Sequence, residues 1–513
     1  AIIGTLILVE CCRRVVGMPI ICVAAVFVLY AFLGAGKDLK TVMYNLFYTT
    51  TGILGTPIGV CSTYIALFVI FGAFLEATGV ANFFIDCANA LVGWASGGPA
   101  KVAVVSSALC GMVSGSSVGN TVTTGSVTIP MMKKTGYPPE FAGAVEAASP
   151  TGGQIMPPIL GAAAFLMADM VGVPYAKIIV RAILPAFLYF LGIFLGVHFK
   201  AKKLGLKGLP REELPKWGKL LPKIYLLVPL VLLVYMIVAG ETMAKSAIYA
   251  TLAAIAVSLI NKDDRMTPTK FVNGLENGGK NCISIGIACG IAGIISVCIT
   301  MTGLGGKLIT YVVSLSNGHL IIALFLTMIC CIVLGMGVPT TANYIIMAST
   351  CAPILINGMG MHVLAANMFV FYFGIVADIT PPVALAAYAG SAIAKAPPMK
   401  TAFNATRLAI AAFIIPYIFA FNNAMIFVGD DVTVWSVASI TISATLGMLS
   451  IASGLMGYLI HDLKWISRIA LIAGGLLMII PGTVSDLAGF AVLAAIFVLQ
   501  TIENKKEKKA ASV

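Results

Sequence analysis

The sequence predicts an all-α polytopic membrane protein, built as an inverted-topology repeat with two re-entrant helical hairpins and two broken helices. Three observations predict this fold class. The chain is 59% hydrophobic and only 10% charged, whereas an ordinary soluble domain is about one quarter charged. Apolar stretches long enough to cross about 30 Å of hydrocarbon recur from end to end. Polar motifs in the two halves match at a nearly constant offset.

The net charge of +12 comes largely from loops between apolar segments. Segment 200–223 contains eight basic and two acidic residues, and the tail 504–513 begins with "NKKEKK". Basic loops of this kind stay in the cytoplasm, so we expect a cytoplasmic loop at 200–223 and a cytoplasmic C-terminus. This placement argues against nucleic acid as a partner. The 12 Cys lie mainly in apolar segments without a CxxC pair, as expected of buried thiols.

The repeat rests on residues that seldom match by chance. Asn120 and Asn343 are 223 positions apart, as are Pro130 and Pro353, and the Pro-Pro pairs at 157–158 and 381–382 are 224 apart. Internal repeats of this length are typical of membrane transporters. We therefore predict two copies, at 40–199 and 224–425, with additional membrane helices at 426–503.

The charges around the two copies indicate opposite orientations in the membrane. Segment 101–134 has basic residues at both ends, which places both ends in the cytoplasm. Its counterpart at 317–362 has no flanking Lys or Arg, which favours the external side. A count of the apolar spans between them agrees with this inversion.

Each copy contains a predicted hairpin that enters the membrane and returns to the same side. In the first, 101–134, arms of about 20 Å are too short to cross the bilayer. Its predicted tip is "SGSSVGNT", residues 114–121. In the second, 319–357, the predicted arms are 319–336 and 344–357, and the tip is 337–343. The first arm there is long enough to span the bilayer, so the prediction of a second hairpin depends on the match to the first copy.

A broken helix follows each hairpin. Proline and glycine predict breaks at 150–154 in the first copy and at 378–382 in the second. Unpaired backbone is tolerated at membrane depth only where it lines a cavity enclosed by protein. We therefore expect the two tips and the two breaks to meet around one binding site.

The residue types at this site favour a cation-coupled transporter of carboxylates. Loop carbonyls and helix C-termini suit Na⁺, and helix N-termini near Asn120 and Asn343 suit a carboxylate. Asp378 is the strongest single candidate for a functional residue, because placing a carboxylate at membrane depth costs free energy. The alternatives are that small residues only allow close packing, and that Asp378 or Thr380 caps a helix beginning at Pro381. Glu146 could be a coupling or a packing carboxylate.

An enzyme is disfavoured, although Ser-Gly-Ser in a membrane hairpin is compatible with an intramembrane serine hydrolase. Such catalysis requires a base within hydrogen-bond reach of the serine. All four histidines fall at predicted helix ends or in loops: His198, His319, His362 and His461.

The motifs resemble a known family. "SGSSVGNTVTTGSVTIPMMKKTGYPPEFAGAVEAASPTGGQIMPPILGAAAFLMADMVGVPY" and "LGMGVPTTANYIIMASTCAPIL" with "FVFYFGIVADITPPVALAAYAGSAIA" are similar to the large membrane subunit of tripartite ATP-independent periplasmic (TRAP) transporters, specifically the fused permease of the TAXI type. The resemblance is strong over 40–425. Residues 1–36 resemble the end of a small membrane subunit fused upstream, which implies that the N-terminus is missing. Gly119 stands where the family usually has Ala.

The resemblance implies a multi-pass secondary transporter of a bacterial or archaeal cell (inner) membrane, with an elevator mechanism. Uptake would be driven by Na⁺, with no organic cofactor, and the solute would arrive on an extracytoplasmic TAXI-type solute-binding protein. Two alternatives to Na⁺-driven uptake remain. The first is a proton-coupled member of the same family, and the second, less favoured, is a passive channel.

The family's ion sites lie at the hairpin tips and breaks, which gives two sets of expected residues. The expected Na⁺ ligands are Ser114, Gly115, Ser116, Asn120, Gly337, Pro339, Thr340, Asn343, Asp378 and Thr380. The expected substrate-binding residues are Ser116, Ser117, Asn120, Thr121, Gln154, Thr341 and Asn343.

Overall fold

The fold is entirely helical apart from one isolated bridge between Tyr458 and Asp462, in a computed structural model that describes residues 1–261, 265–429, 432–479 and 482–510. The side chains of Ser114 and of 505–510 lie outside this description, as do residues 511–513 of the predicted basic tail. Within the described ranges, eight helices are long and apolar enough to cross a membrane. The prediction of an all-α polytopic membrane protein is confirmed.

The N-terminal half contains fourteen α-helices. They are α1 (Ile2–Val15), α2 (Met18–Leu29), α3 (Leu39–Phe47), α4 (Thr56–Val60), α5 (Ala66–Ala77), α6 (Val80–Val92), α7 (Gly98–Ser114), α8 (Ser117–Lys134), α9 (Pro139–Gly153), α10 (Gly161–Val171), α11 (Tyr175–Lys203), α12 (Trp217–Leu220), α13 (Val228–Val238) and α14 (Met243–Ile260). A π-helical turn, Cys61–Ile65, joins α4 to α5 as one long span.

The remaining helices complete the second copy, which begins with α13 and α14, and form a C-terminal unit. They are α15 (Pro268–Thr302), α16 (Leu304–Ser316), α17 (Leu320–Gly335), α18 (Thr340–Thr350), α19 (Val363–Val376), α20 (Leu385–Ala394), α21 (Pro398–Leu408), α22 (Ile410–Phe421), α23 (Val434–Met456), α24 (Trp465–Leu477) and α25 (Thr483–Ala510). Helices α23 to α25 pack on one another, and α23 contacts α11.

The helices of the two predicted copies follow each other in the same order at matching offsets. Helix α6 begins at Val80 and α16 at Leu304, 224 positions later. The same offset separates the starts of α10 and α20, at Gly161 and Leu385. The second half of each broken helix also packs on the other copy: α20 contacts α8 and α9, while α10 contacts α18 and α19. This reciprocal exchange is what a pseudo-two-fold axis produces.

Helices α7 and α8 form the first hairpin, but its non-helical tip is much shorter than expected. Only Gly115, in the left-handed region at φ 59°, and Ser116 separate the two helices. The Ser116 hydroxyl accepts a hydrogen bond from the Gly119 N–H at 3.2 Å and so caps α8. Most of "SGSSVGNT" is therefore the first turn of α8, and the prediction of an eight-residue tip was wrong.

The second hairpin, α17 and α18, differs from its prediction in the same direction. Helix α18 begins at Thr340 rather than at 344, and Gly337, at φ 73°, lies in the turn before it. It ends at Thr350, ahead of Pro353, and a π-helical turn, Ile354–Gly358, continues the arm.

The first break lies later than the proline pattern predicts. Pro150 lies inside α9, and the chain leaves the helix only at 154–160. Proline at 150 has no N–H for the Glu146 carbonyl, but the Thr121 hydroxyl, whose proton is shared with the Ser117 carbonyl at 2.8 Å, donates to that oxygen at 2.8 Å. A tertiary hydrogen bond thus replaces the missing helical one, and α9 continues to Gly153.

The second break, 377–384, contains the predicted segment 378–382. Both breaks include a cis Pro-Pro peptide bond and end on a residue with positive φ, Leu160 at 56° and Ala384 at 36°. The next helix, α20, begins at Leu385, so the alternative of a helix beginning at Pro381 is not supported. The first turn of α20 bonds the backbone of Asp378 and not its side chain: the Ala386 N–H donates to the Asp378 carbonyl at 3.0 Å.

Candidate functional site

One cavity of about 560 Å³ lies where the hairpin tips and the broken helices meet. Its other wall consists of α5, α6 and α15, together with the end of α1. Ligand pockets for small organic molecules have volumes of about 300–1,000 Å³. The cavity is therefore large enough for a small solute together with an ion.

The central polar contact of the cavity joins the two copies. The Ser117 hydroxyl, in the first turn of α8, donates to Asp378 Oδ2 at 2.6 Å. Both side chains are buried and both line the cavity. Asp378 forms no ion pair with any residue that the structure describes. A buried carboxylate with a single neutral donor is poorly compensated in a medium of low dielectric constant.

Gln154 lies beside this carboxylate. Its side chain is buried and lines the cavity, yet neither amide atom has a hydrogen-bond partner among the described residues. Buried amides are normally satisfied, so an unpaired one at a cavity wall is suited to hold a ligand. Gln154 and Asp378 occupy matching positions in the two breaks, as the repeat predicts.

The two matched asparagines have different partners. Asn120 lines the cavity, and its amide donates to the Ser107 carbonyl at 3.2 Å, which ties α8 to α7. Asn343 donates to the Gly374 carbonyl at 2.9 Å, while its buried Oδ1 has no described partner. Asn343 lies behind the cavity wall rather than on it.

The structure brings most of the predicted tip residues to the cavity. Six further predicted residues line it: Gly115, Ser116, Gly337, Pro339, Thr340 and Thr341. Besides Asn343, two predicted residues do not. Thr121 is fully buried between α8 and α9, and the Thr380 hydroxyl donates to the Val376 carbonyl at 2.8 Å. The side chain of Ser114 lies outside the described residues.

Four polar residues of the cavity were missed by the sequence analysis. Thr123 belongs to the exposed face of α8, and Glu76, Asn281 and Ser284 come from α5 and α15 on the opposite wall. Glu76 could have been noticed as an acidic residue near the end of an apolar span. Asn281 and Ser284 are one helical turn apart, but their polarity alone does not distinguish a cavity wall from a surface.

The charge of the cavity lining is one-sided. Its charged residues are the carboxylates Glu76 and Asp378, and within the described chain no Lys, Arg or His lines it. The other polar groups are hydroxyls, amides and loop carbonyls. Such hard, neutral oxygen donors around one carboxylate fit an alkali cation. No group of three or more His, Cys, Asp or Glu residues suited to another metal occurs in the described part of the chain.

A family model described as "Tripartite ATP-independent periplasmic transporter, DctM component" matches residues 3–430. The chain belongs to this family. The match includes residues 3–36, so the attribution of segment 1–36 to a fused small subunit stays a prediction. The family is a family of transporter permeases, not of enzymes, and the long apolar helices make this member a multi-pass membrane protein.

Individual relatives agree with the family. A C4-dicarboxylate TRAP transporter large permease protein, DctM, of Pseudomonas aeruginosa is 26% identical over 339 residues, which cover 65% of this chain and 77% of that protein. The DctM protein of Vibrio cholerae is 29% identical over 211 residues, 40% of this chain and 44% of that protein. The sialic acid TRAP permease SiaM of Vibrio cholerae is 20% identical over 335 residues, 65% of this chain and 77% of that protein.

Proposed function

We propose that this TRAP permease performs secondary active uptake of a carboxylate solute, an organic acid or an amino acid, across a bacterial or archaeal inner membrane. Na⁺ is the coupling cation, and its site is the set of oxygens around Asp378. The observation that carries the proposal is the contact between Ser117 and Asp378. It joins the first hairpin to the second broken helix and leaves a buried negative charge without a basic partner.

The lining of the cavity supports a cation as part of the solute site. A carboxylate solute entering a cavity that contains Glu76 and Asp378, and no basic residue among those described, would meet net negative charge. A Na⁺ bound at Asp378 neutralises the negative charge of that carboxylate. The N-termini of α8 and α18 then offer unpaired N–H groups to the solute. Cation and solute would then bind with positive coupling, which is the requirement for symport.

The solute class is supported by the relatives and not by a specific pocket. Their names give C4-dicarboxylate, sialic acid and 2,3-diketo-L-gulonate as solutes, all of which are organic acids. We propose that the solute reaches this permease on an extracytoplasmic binding protein of the TAXI type, that the permease works with small-subunit-like membrane helices, and that the two hairpins and broken helices move as an elevator within the lipid membrane.

Reconstitution with the cognate binding protein tests this function. Liposomes containing the permease should accumulate a radiolabelled C4-dicarboxylate, as the first probe, only under an inward Na⁺ gradient. Equal accumulation in Na⁺-free buffer under a proton gradient would show that H⁺, and not Na⁺, is the coupling ion. Uptake without the binding protein or any gradient would indicate a passive channel and would contradict the proposal.

A further inference from the structure

Glu146 is a second buried carboxylate, and it lies outside the cavity. It belongs to α9, is fully buried, and does not line the cavity. Its carboxylate contacts two hydroxyls of α8: Thr124 Oγ1 approaches Oε2 at 2.9 Å, and Thr128 Oγ1 approaches Oε1. The first hairpin therefore docks on the first broken helix partly through this carboxylate.

We propose that Glu146 is held as a neutral carboxylic acid and is a proton-carrying site, separate from the cation site at Asp378, that is uncovered when the first hairpin moves away from α9. The transport half of this proposal rests on the proposed function, whereas the protonation half does not.

A count of the protons in the cluster favours the neutral acid. Each hydroxyl has one proton but two acceptors within reach: Thr124 also points at the Asn120 carbonyl at 2.8 Å, and Thr128 at the Thr124 carbonyl at 3.0 Å. Bonding to the carbonyl four residues back is the usual arrangement for Thr in a helix. When both hydroxyls donate there, neither compensates a negative charge on Glu146, which favours the neutral acid.

The surroundings of α9 provide no counter-charge. Helices α7, α8, α11, α20 and α21 pack against it. Cys110 of α7 interacts with Glu146, and the Tyr189 hydroxyl of α11 donates to the Ala148 carbonyl at 2.6 Å. The other titratable or charged groups on these helices include Lys101, which bonds His198, Lys133, which bonds the Ala394 carbonyl, and Lys134, Lys200, Tyr388, Lys400 and Arg407. None of these described side chains forms an ion pair with Glu146.

The second copy shows that the fold does not require a carboxylate at this contact. The positions matching Glu146, Thr124 and Thr128 are Val370, Met347 and Cys351, all of them fully buried. Helices α18 and α19 pack on each other although none of these three side chains is a carboxylate. Because apolar groups satisfy the same helix contact, packing alone does not account for a buried acid in the first copy.

A short route connects Glu146 to the cavity. The Ser107 hydroxyl lies beside Glu146 and 3.5 Å from the Thr124 hydroxyl, and Asn120, which lines the cavity, bonds the Ser107 carbonyl. When α8 separates from α9, cavity water reaches the acid. The O–H bond of Glu146 then breaks, its electron pair stays on the carboxylate, and the proton passes to water.

Infrared spectroscopy tests the protonation half without solute or binding protein. Protonated carboxylic acids have a carbonyl stretching band that carboxylates lack. At neutral pH the purified wild-type permease should show this band, Asp378→Asn should retain it, and Glu146→Gln should lose it. A band that survives in Glu146→Gln, or that disappears in Asp378→Asn, would overturn the assignment.

A second variant keeps the acid in place in case Glu146→Gln does not fold. Thr128→Val removes one hydroxyl. That hydroxyl stabilises the ionised carboxylate more than it stabilises the neutral acid. The band of Thr128→Val should therefore persist to higher pH than that of the wild type. An unchanged pH profile would contradict the hydroxyl contact and with it the proposal.

Liposomes test the transport half. An imposed inward pH gradient should increase Na⁺-driven accumulation of the C4-dicarboxylate probe several-fold in the wild type and have no effect in Glu146→Gln. If Glu146→Gln responds to the pH gradient as the wild type does, Glu146 carries no proton in transport. Absence of any Na⁺-driven uptake in the wild type would instead refute the proposed function, and the infrared result would stand by itself.

Discussion

Thr121 explains how a proline remains inside a buried helix. Its hydroxyl donates to the Glu146 carbonyl, the oxygen that Pro150 leaves without a helical N–H. A buried carbonyl without a donor costs about 1–3 kcal/mol. The hydroxyl that the sequence analysis assigned to the solute is thus engaged with the backbone of α9.

We predict that Thr121→Val lowers the free energy of unfolding by about 1–3 kcal/mol, because the Glu146 carbonyl then lacks a donor. Thermal unfolding in detergent measures this change. Thr121→Ser should retain most of the stability. In the double variant with Pro150→Ala, the new N–H supplies the missing helical bond, so Thr121→Val should cost much less in that background. Equal costs in both backgrounds would show that the hydroxyl does not serve the carbonyl.

Ser117 makes the contact on which the proposed cation site rests. Ser117→Ala removes the 2.6 Å hydrogen bond to Asp378, and hydrogen bonds to charged groups contribute about 1.5–3 kcal/mol. We expect the Na⁺ concentration that half-saturates uptake to rise roughly tenfold to a hundredfold. Ser126→Ala is the matched control, since Ser126 is exposed on the same helix and does not line the cavity. A wild-type Na⁺ dependence in Ser117→Ala would remove Ser117 from the site.

The sequence identified the unusual residues of the site better than it identified their partners. Asp378 and Gln154 are conspicuous because polar side chains interrupt apolar sequence at matched positions. Ser117 and Thr121 are equally polar, and only their positions around the axis of α8 direct one to Asp378 and the other to the Glu146 carbonyl. That orientation depends on how α8 packs against α9 and α20, which no local pattern contains.

At the scale of elements, glycines set how closely the broken helices approach. Helices α9 and α20 cross at Gly143 and Gly390. A Cβ on Gly390 would lie 2.5 Å from the Gly143 carbonyl oxygen, and a Cβ on Gly143 would lie 2.9 Å from the Gly390 oxygen. Both obstacles are backbone atoms, which cannot rotate away. The crossing therefore fixes the position of the second half of one broken helix against the first half of the other.

We predict that Gly390→Ala forces α9 and α20 apart and lowers the free energy of unfolding by about 1–3 kcal/mol, as overpacking does in closely packed cores. Thermal unfolding again provides the measurement. Gly279→Ala in α15 is the control, because nothing lies within 4 Å of a Cβ there, and Ala favours a helix. If both variants are equally stable, the crossing tolerates separation and does not position the site.

Element boundaries show where reasoning from local pattern succeeds and where it fails. The second break was located correctly because Pro381 and Pro382 remove two consecutive helical N–H groups shortly after Asp378. The first break was predicted to begin at Pro150, four residues before it does begin at Gln154, because the compensating hydroxyl lies 29 positions away in sequence, at Thr121. Likewise, Ser and Thr read as loop residues, but in α8 they bond the helix's own carbonyls.

At the scale of the whole molecule, the two hairpins are docked unequally. Helix α18 packs on the long helix α15, whereas α8 packs on α7, α9 and α20 and leaves Gly119, Thr123 and Ser126 exposed. In two copies with equivalent helices, this difference identifies one hairpin as covered and the other as accessible. The cavity continues along the accessible one, between Thr123 and the end of α5 at Glu76.

The predicted orientation turns this asymmetry into a test of sidedness. The basic residues at both ends of the first hairpin place its base in the cytoplasm, so the cavity should open inward. Thr123→Cys should react with a membrane-impermeant thiol reagent in inside-out vesicles and not in right-side-out vesicles. Its counterpart in the second copy, Ile346, is fully buried, and Ile346→Cys should stay at the background of the native cysteines from both sides. Labelling of Thr123→Cys only from outside would reverse the topology, and equal labelling of both variants would contradict the unequal docking of the hairpins.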